Sequence, residues 1–162
     1  MLDTVEVTVT VNGRSYRRRV EPRLHLADFL RHELGLTGTH IGCEQGVCGN
    51  CTVLLGDDAI KSCLMFAVQA DGHDVTTVEA LGPGDGLSPL QQLFKDEHGL
   101  QCGFCTAGFL MTATALARRD APASRQEIRD ELAGVLCRCT GYEPIVNAVE
   151  RHLAEIAGAV DG

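Results

Sequence analysis

Apolar and polar side chains alternate over residues 5–11, with valine at every second position, which is the repeat of a strand that buries one face. Asn12-Gly13 follows directly and is typical of a tight hairpin turn, so we expect a returning strand over residues 14–20. Beyond this strand the apolar residues take helical spacing up to Gly35, a residue suited to the left-handed conformation at a helix end. The pattern predicts a β-hairpin followed by a short helix.

The apolar pattern stops at residues 37–51, where glycine and cysteine recur at short intervals. Such a glycine-rich segment favours a loop that wraps closely around a bound group. Apolar runs then predict short strands over residues 52–55, 60–68 and 75–78. The first half of the chain is therefore expected to mix α and β structure.

Residues 82–86 contain three glycines and one proline, a composition that does not fit inside a helix or a central strand. Beyond this segment, Ser88-Pro89 and the pair Ser124 and Glu127 are typical of helix starts. The apolar spacing predicts helices over residues 89–97, 106–118, 125–134 and 144–157. We therefore expect a first domain over 1–80, a linker over 81–86 and a helical second domain over 87–162.

Composition and charge narrow the classes of protein to consider. The chain has 162 residues, of which 44% are hydrophobic, enough for a packed core. Its 22 Asp and Glu outweigh 14 Lys and Arg for a formal charge of −8, which disfavours nucleic acid and anionic membranes as partners. No signal-peptide pattern is visible, and no apolar run approaches the ~20 residues of a membrane span. We expect a cytoplasmic protein without a membrane span.

Eight cysteines carry the candidate chemistry. In a reducing compartment, thiols serve metals or catalysis more often than disulfides. They form two sets of four, separated by a long cysteine-free stretch: Cys43, Cys48, Cys51 and Cys63, then Cys102, Cys105, Cys137 and Cys139. No nucleophile–base pair and no phosphate-binding glycine loop accompanies them, so we expect no catalytic residue in this chain.

The first set has the spacing of a plant-type ferredoxin, which binds a [2Fe–2S] cluster. The glycines between the cysteines let backbone N–H groups point at the sulfurs, where hydrogen bonds stabilise negative charge. A structural zinc site is the alternative, but zinc sites usually combine two short C-x2-4-C pairs, and only Cys48 and Cys51 form one here. His40 precedes the set and is interpreted as a loop or surface histidine. The spacing favours iron and sulfide over zinc.

The second set consists of two short pairs at the ends of predicted helices, brought together by a helical hairpin over residues 106–136. Two short pairs are also what a zinc site uses. On spacing alone, an iron–sulfur cluster and a structural zinc ion both stay open for this set.

Three segments carry a resemblance to a known family: Gln-Cys-Gly-Phe-Cys-Thr at residues 101–106, Leu-Cys-Arg-Cys-Thr-Gly-Tyr at 136–142, and Ile-Gly-Cys-Glu-Gln-Gly-Val-Cys-Gly at 41–49. They resemble the cluster motifs of the molybdenum hydroxylases, which include xanthine oxidase, aldehyde oxidoreductases and aerobic carbon monoxide dehydrogenase. The resemblance covers essentially the whole chain, and both cysteine motifs occur in the family's order.

The resemblance implies an α+β protein, with an N-terminal β-grasp plant-type ferredoxin domain followed by an all-α four-helix-bundle domain. Each domain would hold one [2Fe–2S] cluster, ligated by one of the two cysteine sets. Electrons would pass from molybdenum–molybdopterin, expected as the cytosine dinucleotide, through the helical cluster and then the ferredoxin cluster to FAD. The molybdenum and the FAD would lie on a large and a medium partner subunit, in a heterotrimer or its dimer.

The resemblance also implies individual roles near the second set. Gln101 would hydrogen-bond the molybdopterin, and Cys139 would ligate iron while approaching the same pterin. The alternative for Gln101 is a polar residue that caps a helix start. The substrate stays open among aldehydes, N-heteroaromatics, purines, acyl-CoA thioesters and carbon monoxide. A stand-alone two-cluster ferredoxin that diffuses between partners is the alternative function.

Overall fold

The computed structural model describes residues 3–119 and 123–160 of the chain. It is an α+β structure with a mixed five-stranded sheet and five α-helices in these residues. The strands are β1 (Val5–Val11), β2 (Arg14–Val20), β3 (Thr52–Leu55), β4 (Asp58–Lys61) and β5 (Asp74–Thr76). The helices are α1 (Leu26–Asp28), α2 (Pro89–Asp96), α3 (Thr106–Ala117), α4 (Arg125–Leu132) and α5 (Glu143–Val160).

The sheet has the strand order β2-β1-β5-β3-β4. β1 and β2 form the predicted antiparallel hairpin, with Val5 opposite Val20. Its turn residues, Asn12 at φ 53° and Gly13 at φ 75°, both take the left-handed conformation that a two-residue hairpin turn requires. The parallel pairing of β1 with β5 makes the sheet mixed, and it places the two chain segments on either side of the cysteine loop in one layer.

The predicted short helix after the hairpin is confirmed. α1 continues into one π-helical turn at Phe29–Glu33, and Gly35 then takes the left-handed conformation at φ 71°. Leu26, Phe29 and Leu30 are fully buried against the valines of β1. This packing forms one hydrophobic core and holds the start of the cysteine loop against the sheet.

The predicted strand over residues 60–68 is wrong. β4 ends at Lys61, and the chain turns immediately in a 3-10 turn at Ser62–Leu64. The Ser62 hydroxyl donates a 2.7 Å hydrogen bond to the Cys51 carbonyl, and the Ser62 N–H donates to the same oxygen at 3.3 Å. These bonds hold Cys63 on a turn beside Cys51, whereas an extended strand would have carried it away. The predicted strand over 75–78 is likewise shorter, ending at Thr76.

The predicted helices of the second half are all present, with starts at or within one residue of those predicted. Ser88 and Ser124 are the expected N-caps of α2 and α4, and both form a complete capping box. The observed ends differ by one to three residues, with α5 extending to Val160. Buried side chains from these helices, including Phe94, Phe109 and Ile145, make a second hydrophobic core.

α3 links the two cores, because it packs against β3 as well as against the other helices. At its end, the Arg118 guanidinium donates to the Asp57 carboxylate at 2.8 Å and to the Gly56 carbonyl at 3.3 Å. This ion pair is largely exposed, and such pairs contribute at most about 1 kcal/mol. Among the helices the structure describes, none combines the length and the apolar character needed to cross a membrane.

Candidate metal centres

The first cysteine set converges at one end of the sheet. Cys43, Cys48 and Cys51 come from the loop before β3, and Cys63 comes from the turn after β4. Cys51 and Cys63 are each 2% exposed, whereas Cys43 and Cys48 are only half-buried. The site therefore has a buried side and an open side.

The cysteine loop is built to hold a negatively charged sulfur at Cys43. Backbone N–H groups of Gln45 and Cys48 point at this thiol, and together they lower its pKa to about 7. The bond from the Cys48 N–H is 3.3 Å long. Left-handed conformations at Glu44 and Gly46 curl the backbone so that its N–H groups face inward. A thiolate is the form that binds metal, so the loop favours the ligand state.

Burial acts in the opposite direction at Cys63. Removal from water, with Cys51 beside it, raises the pKa of the Cys63 thiol to about 11. An isolated thiolate is costly in this position, and the positive charge of a bound metal would offset that cost.

The second cysteine set converges where the α2–α3 connection meets the α4–α5 connection. Cys102 and Cys139 are exposed, and their sulfurs lie 3.6 Å apart. Cys105 is only 6% exposed, and burial beside Cys137 raises the pKa of its thiol to about 12. This site also has an exposed pair of thiols and a deeper pair.

Cys137 is held by its own connection. Burial alone would raise its pKa, but hydrogen bonds from the Thr140 hydroxyl at 3.2 Å and from the N–H groups of Thr140 and Cys139 outweigh burial and lower it. The Cys137 N–H donates in turn to the Tyr142 hydroxyl at 3.0 Å. These bonds stabilise a thiolate at Cys137.

The thiols meet as pairs: Cys43 with Cys48, Cys51 with Cys63, Cys102 with Cys139, and Cys105 with Cys137. Two thiolates on one tetrahedral metal, each about 2.3 Å from it, lie about 3.8 Å apart, which matches the Cys102–Cys139 separation. Within residues 3–119 and 123–160, no three or more His, Cys, Asp or Glu side chains gather round one point as ligands of a single ion. Two pairs of thiols at each site are the ligand arrangement of a binuclear cluster, with two thiolates on each of its two metal ions.

Gln101 lies on the exposed side of the second site, next to Cys102. It does not cap a helix, because α3 begins only at Thr106 and its N-cap is Cys105. The capping interpretation of Gln101 is therefore wrong, and its exposed amide is free to face a group outside the chain. Cys139 shares this exposed side.

The direct contact between the two cysteine loops is the functional feature that the sequence interpretation missed. The Leu136 N–H donates a 2.8 Å hydrogen bond to the Cys48 carbonyl. This bond joins the two loops, because Leu136 directly precedes Cys137 of the second set and Cys48 belongs to the first set. Gly49 and Gly108 allow this approach: a Cβ at Gly108 would lie 2.7 Å from the Gly49 carbonyl oxygen. We call this contact, formed by residues 48–50, Gly108 and residues 134–136, the inter-loop seam. In the sequence, this contact is signalled by Gly108, a glycine inside the helix predicted over 106–118.

His40 also spans the two loops. Its ring stacks on Phe104, with centroids 4.9 Å apart, and its Nδ1 lies 2.7 Å from the Phe104 carbonyl oxygen. The interpretation of His40 as a loop residue is confirmed, but it is half-buried and bridges the loops rather than lying free on the surface.

Two family models match the chain in tandem. Residues 9–77 match the 2Fe-2S iron-sulfur cluster binding domain, and residues 77–150 match the [2Fe-2S] binding domain. The first match contains one cysteine set and the second match contains the other.

Curated and solved relatives cover nearly the whole chain. Caffeine dehydrogenase subunit gamma from Pseudomonas sp. (strain CBB1) is 53% identical over 147 residues, which are 89% of this chain and 88% of the relative. The crystal structure of quinoline 2-oxidoreductase from Pseudomonas putida 86 contains a chain that is 50% identical, with a TM-score of 0.91 over 96% of this chain and 97% of that chain. Aldehyde oxidoreductase from Desulfovibrio gigas is 40% identical with a TM-score of 0.89, over 96% of this chain but only 17% of that chain.

The paired thiols and the two tandem matches define the class: this is an iron–sulfur protein with two [2Fe–2S]-binding domains. Within that class, the chain belongs to the family of small iron–sulfur subunits of the molybdenum hydroxylases. Relatives such as caffeine dehydrogenase subunit gamma are subunits of oxidoreductase complexes, so the function of the family is electron transfer within an enzyme. They give the stand-alone ferredoxin no support.

Proposed function

We propose that this chain carries electrons from a molybdenum–molybdopterin site on a large subunit to FAD on a medium subunit, in a heterotrimer or its dimer. The molybdopterin is proposed as the cytosine dinucleotide. The observation that carries the proposal is the seam, because it joins two thiol sites whose outer pairs are left open to other molecules. When bound, each cluster supplies one-electron chemistry at its iron ions.

The eight cysteines are the proposed ligands: Cys43, Cys48, Cys51 and Cys63 at the ferredoxin-type site, and Cys102, Cys105, Cys137 and Cys139 at the helical site. The thiol pairs support two thiolates on each iron. The inward N–H groups at Cys43 and Cys137 would share the negative charge of the bound sulfurs.

We also propose the domain division on which this assignment depends. A β-grasp ferredoxin domain would occupy residues 1–80, a linker 81–86, and a four-helix-bundle domain 87–162. Separate hydrophobic cores in the sheet and in the helices support the division, and so do the two family matches that meet at residue 77. Each domain would then supply one cluster.

The helical site is the proposed entry point. Cys102 and Cys139 are exposed, and Gln101 lies beside them with an amide able to donate and accept hydrogen bonds. Large apolar side chains are exposed in the same connections, including Phe104 at 44% and Leu136 at 48%. Exposed apolar side chains together with an exposed polar group are what a protein interface needs. We assign this face to the molybdenum subunit.

The ferredoxin-type site is the proposed exit. Its half-buried Cys43 and Cys48 lie next to Val47 and near Leu64, which are 61% and 63% exposed. Leu64 lies against Gly46 of the cysteine loop, so the apolar surface reaches the site itself. We assign this second face to the FAD subunit.

The substrate of the complete enzyme is proposed to be an N-heteroaromatic compound. Caffeine dehydrogenase and quinoline 2-oxidoreductase are named for such compounds, and their matched chains are 53% and 50% identical to this one. The aldehyde oxidoreductase is less similar, at 40%. This proposal depends on the similarity to these relatives alone.

Isolation of the native complex tests the proposed function. We expect the chain to co-purify with two larger subunits and to show two distinguishable reduced [2Fe–2S] EPR signals after addition of an N-heteroaromatic substrate. A panel with aldehyde, purine and N-heteroaromatic substrates distinguishes the substrate classes. The proposal would be contradicted if the chain purified without other subunits and if no substrate reduced its clusters after the proposed partner subunits were added.

Gln101→Ala should slow electron entry without changing either cluster. The exposed amide is lost, while the ligands, the seam and the packed core stay as they are. We expect a slower reduction of both clusters by substrate, by about tenfold for the loss of one or two hydrogen bonds at an interface. Stopped-flow absorbance of the complex measures this rate. Gln92→Ala, which removes an exposed amide from α2, is the matched control and should leave the rate unchanged.

A further inference from the structure

Lys61 places a positive charge beside the inter-loop seam. It is half-buried at the end of β4, opposite Thr52 of β3. Its Nζ donates a 3.1 Å hydrogen bond to the Thr52 hydroxyl, which donates in turn to the Gly49 carbonyl at 2.6 Å. A Cβ placed on Gly134, on the other side of the seam, would lie 3.6 Å from the same Nζ. The ammonium group therefore lies next to both loops that meet at the seam.

This charge has no acidic partner among the residues that the structure describes, since none of their carboxylates forms an ion pair with Lys61. By contrast, the two cations just after α3 are paired, Arg118 with Asp57 and Arg119 with Glu131. A half-buried cation loses part of its hydration, and a negative charge nearby offsets that loss. The position of Lys61 therefore suits an anionic group close to the seam.

The ferredoxin-type site is such a group when its cluster is bound. Thr52, which accepts the hydrogen bond from Nζ, directly follows Cys51, and Lys61 precedes Cys63 by two residues. Since consecutive Cα atoms are ~3.8 Å apart, Nζ lies within about 10 Å of the Cys51 Cα. On the helical side, Cys137 is three residues beyond the glycine that Nζ approaches. Lys61 is therefore more closely connected to the ferredoxin-type ligands than to the helical ones.

We propose that the Lys61 ammonium group raises the reduction potential of the ferredoxin-type site relative to the helical site. The proposal rests on the ligand set and the function proposed above. Lys61 acts through its charge and does not ligate iron.

The direction follows from electrostatics. Four thiolates, two sulfides and two ferric ions sum to −2, and uptake of one electron by one ferric ion gives −3 with no bond made or broken. A fixed positive charge stabilises the more negative state more strongly, so it favours reduction. A higher potential at the ferredoxin-type site would favour electron transfer across the seam toward the proposed exit.

Redox titration of the complete protein with dithionite, followed by EPR, tests this role. Lys61→Met keeps a long unbranched side chain but removes the charge. At the wild-type midpoint, we expect the ratio of reduced to oxidised ferredoxin-type cluster to fall about two- to tenfold, for a charge ~10 Å away in a medium between protein surface and water. For one electron, this fall corresponds to a potential lower by about 20–60 mV. The potential of the helical cluster should fall less.

Two further variants are the controls for charge. Lys61→Arg keeps the positive charge and should keep the wild-type potentials. Lys95→Met removes the exposed lysine of α2 and is the matched control, which should leave both potentials unchanged.

A second measurement separates charge from packing. The magnetic coupling between the two reduced clusters should be the same in Lys61→Met as in the wild type, because the Leu136–Cys48 hydrogen bond still joins the loops. The role of Lys61 alone would be overturned by unmoved potentials, by equal shifts at both clusters, by weaker coupling, or by an arginine variant that shifts as far as the methionine variant. Shifted potentials in a complex that no substrate reduces would support this role and contradict the proposed function. A wild-type protein without any [2Fe–2S] signal would overturn the ligand assignment and this proposal together.

Discussion

Cys105→Ala should remove the helical cluster while leaving the ferredoxin-type cluster in place. Iron content should fall from about four to about two atoms per chain, and one of two reduced EPR signals should vanish. Cys105 is 6% exposed at the start of α3, so bulk water has little access to the position of its thiolate. The substitution removes only one sulfur from a packed core, so the helices themselves should fold.

Cys51→Ala is the matched experiment on the other site. Cys51 is 2% exposed. Its substitution should remove the ferredoxin-type cluster and leave the EPR signal of the helical cluster. Iron and acid-labile sulfide analysis with EPR measures both variants, and each serves as the control for the other. Loss of both signals from either variant would contradict two separate sites. Zinc in place of iron and sulfide would contradict the clusters altogether.

Local sequence signals predicted most of the secondary structure. The Asn12-Gly13 turn and the capping boxes at Ser88 and Ser124 are each formed by residues within a few positions of one another. The local sequence therefore contains all the information that each of them needs. The strand predicted over 60–68 was wrong because a distant group overrides the local preference. Ser62 bonds to the Cys51 carbonyl, and this contact turns the chain where its apolar pattern favours extension.

The candidate sites show the same division between local and distant information. The spacing of the first cysteine set was specific enough to predict a [2Fe–2S] site, but the second set required the family resemblance. The pairing of Cys102 with Cys139, and the seam from Cys48 to Leu136, depend on how separate loops meet in space. No spacing rule within one loop contains that contact, although a glycine in the first turn of α3 was consistent with a close approach.

Gly49→Ala should be the most damaging substitution of a residue that does not ligate iron. Gly49 has φ 70°, where an alanine costs roughly 1–2 kcal/mol. Its Cβ would also overlap the Gly134 carbonyl oxygen and lie 2.9 Å from the Val135 Cα, both of which are backbone atoms that cannot rotate away. Overpacking adds about 1–3 kcal/mol, and separation of the loops loses the Leu136–Cys48 hydrogen bond, about 1 kcal/mol.

Gly72→Ala is the control that measures the cost of an alanine at positive φ without any steric overlap at the inter-loop seam. Gly72 has nearly the same φ, 75°, but no atom lies within 4 Å of its Cβ position. We expect the melting temperature of the cluster-loaded protein to fall further in Gly49→Ala than in Gly72→Ala, by about 4–16 °C for a difference of about 2–4 kcal/mol. The magnetic coupling between the two reduced clusters should weaken in Gly49→Ala alone, because only this substitution moves the loops apart. Equal melting temperatures and unchanged coupling would mean that the two loops tolerate separation, and that Gly49 matters only for the turn of its own loop.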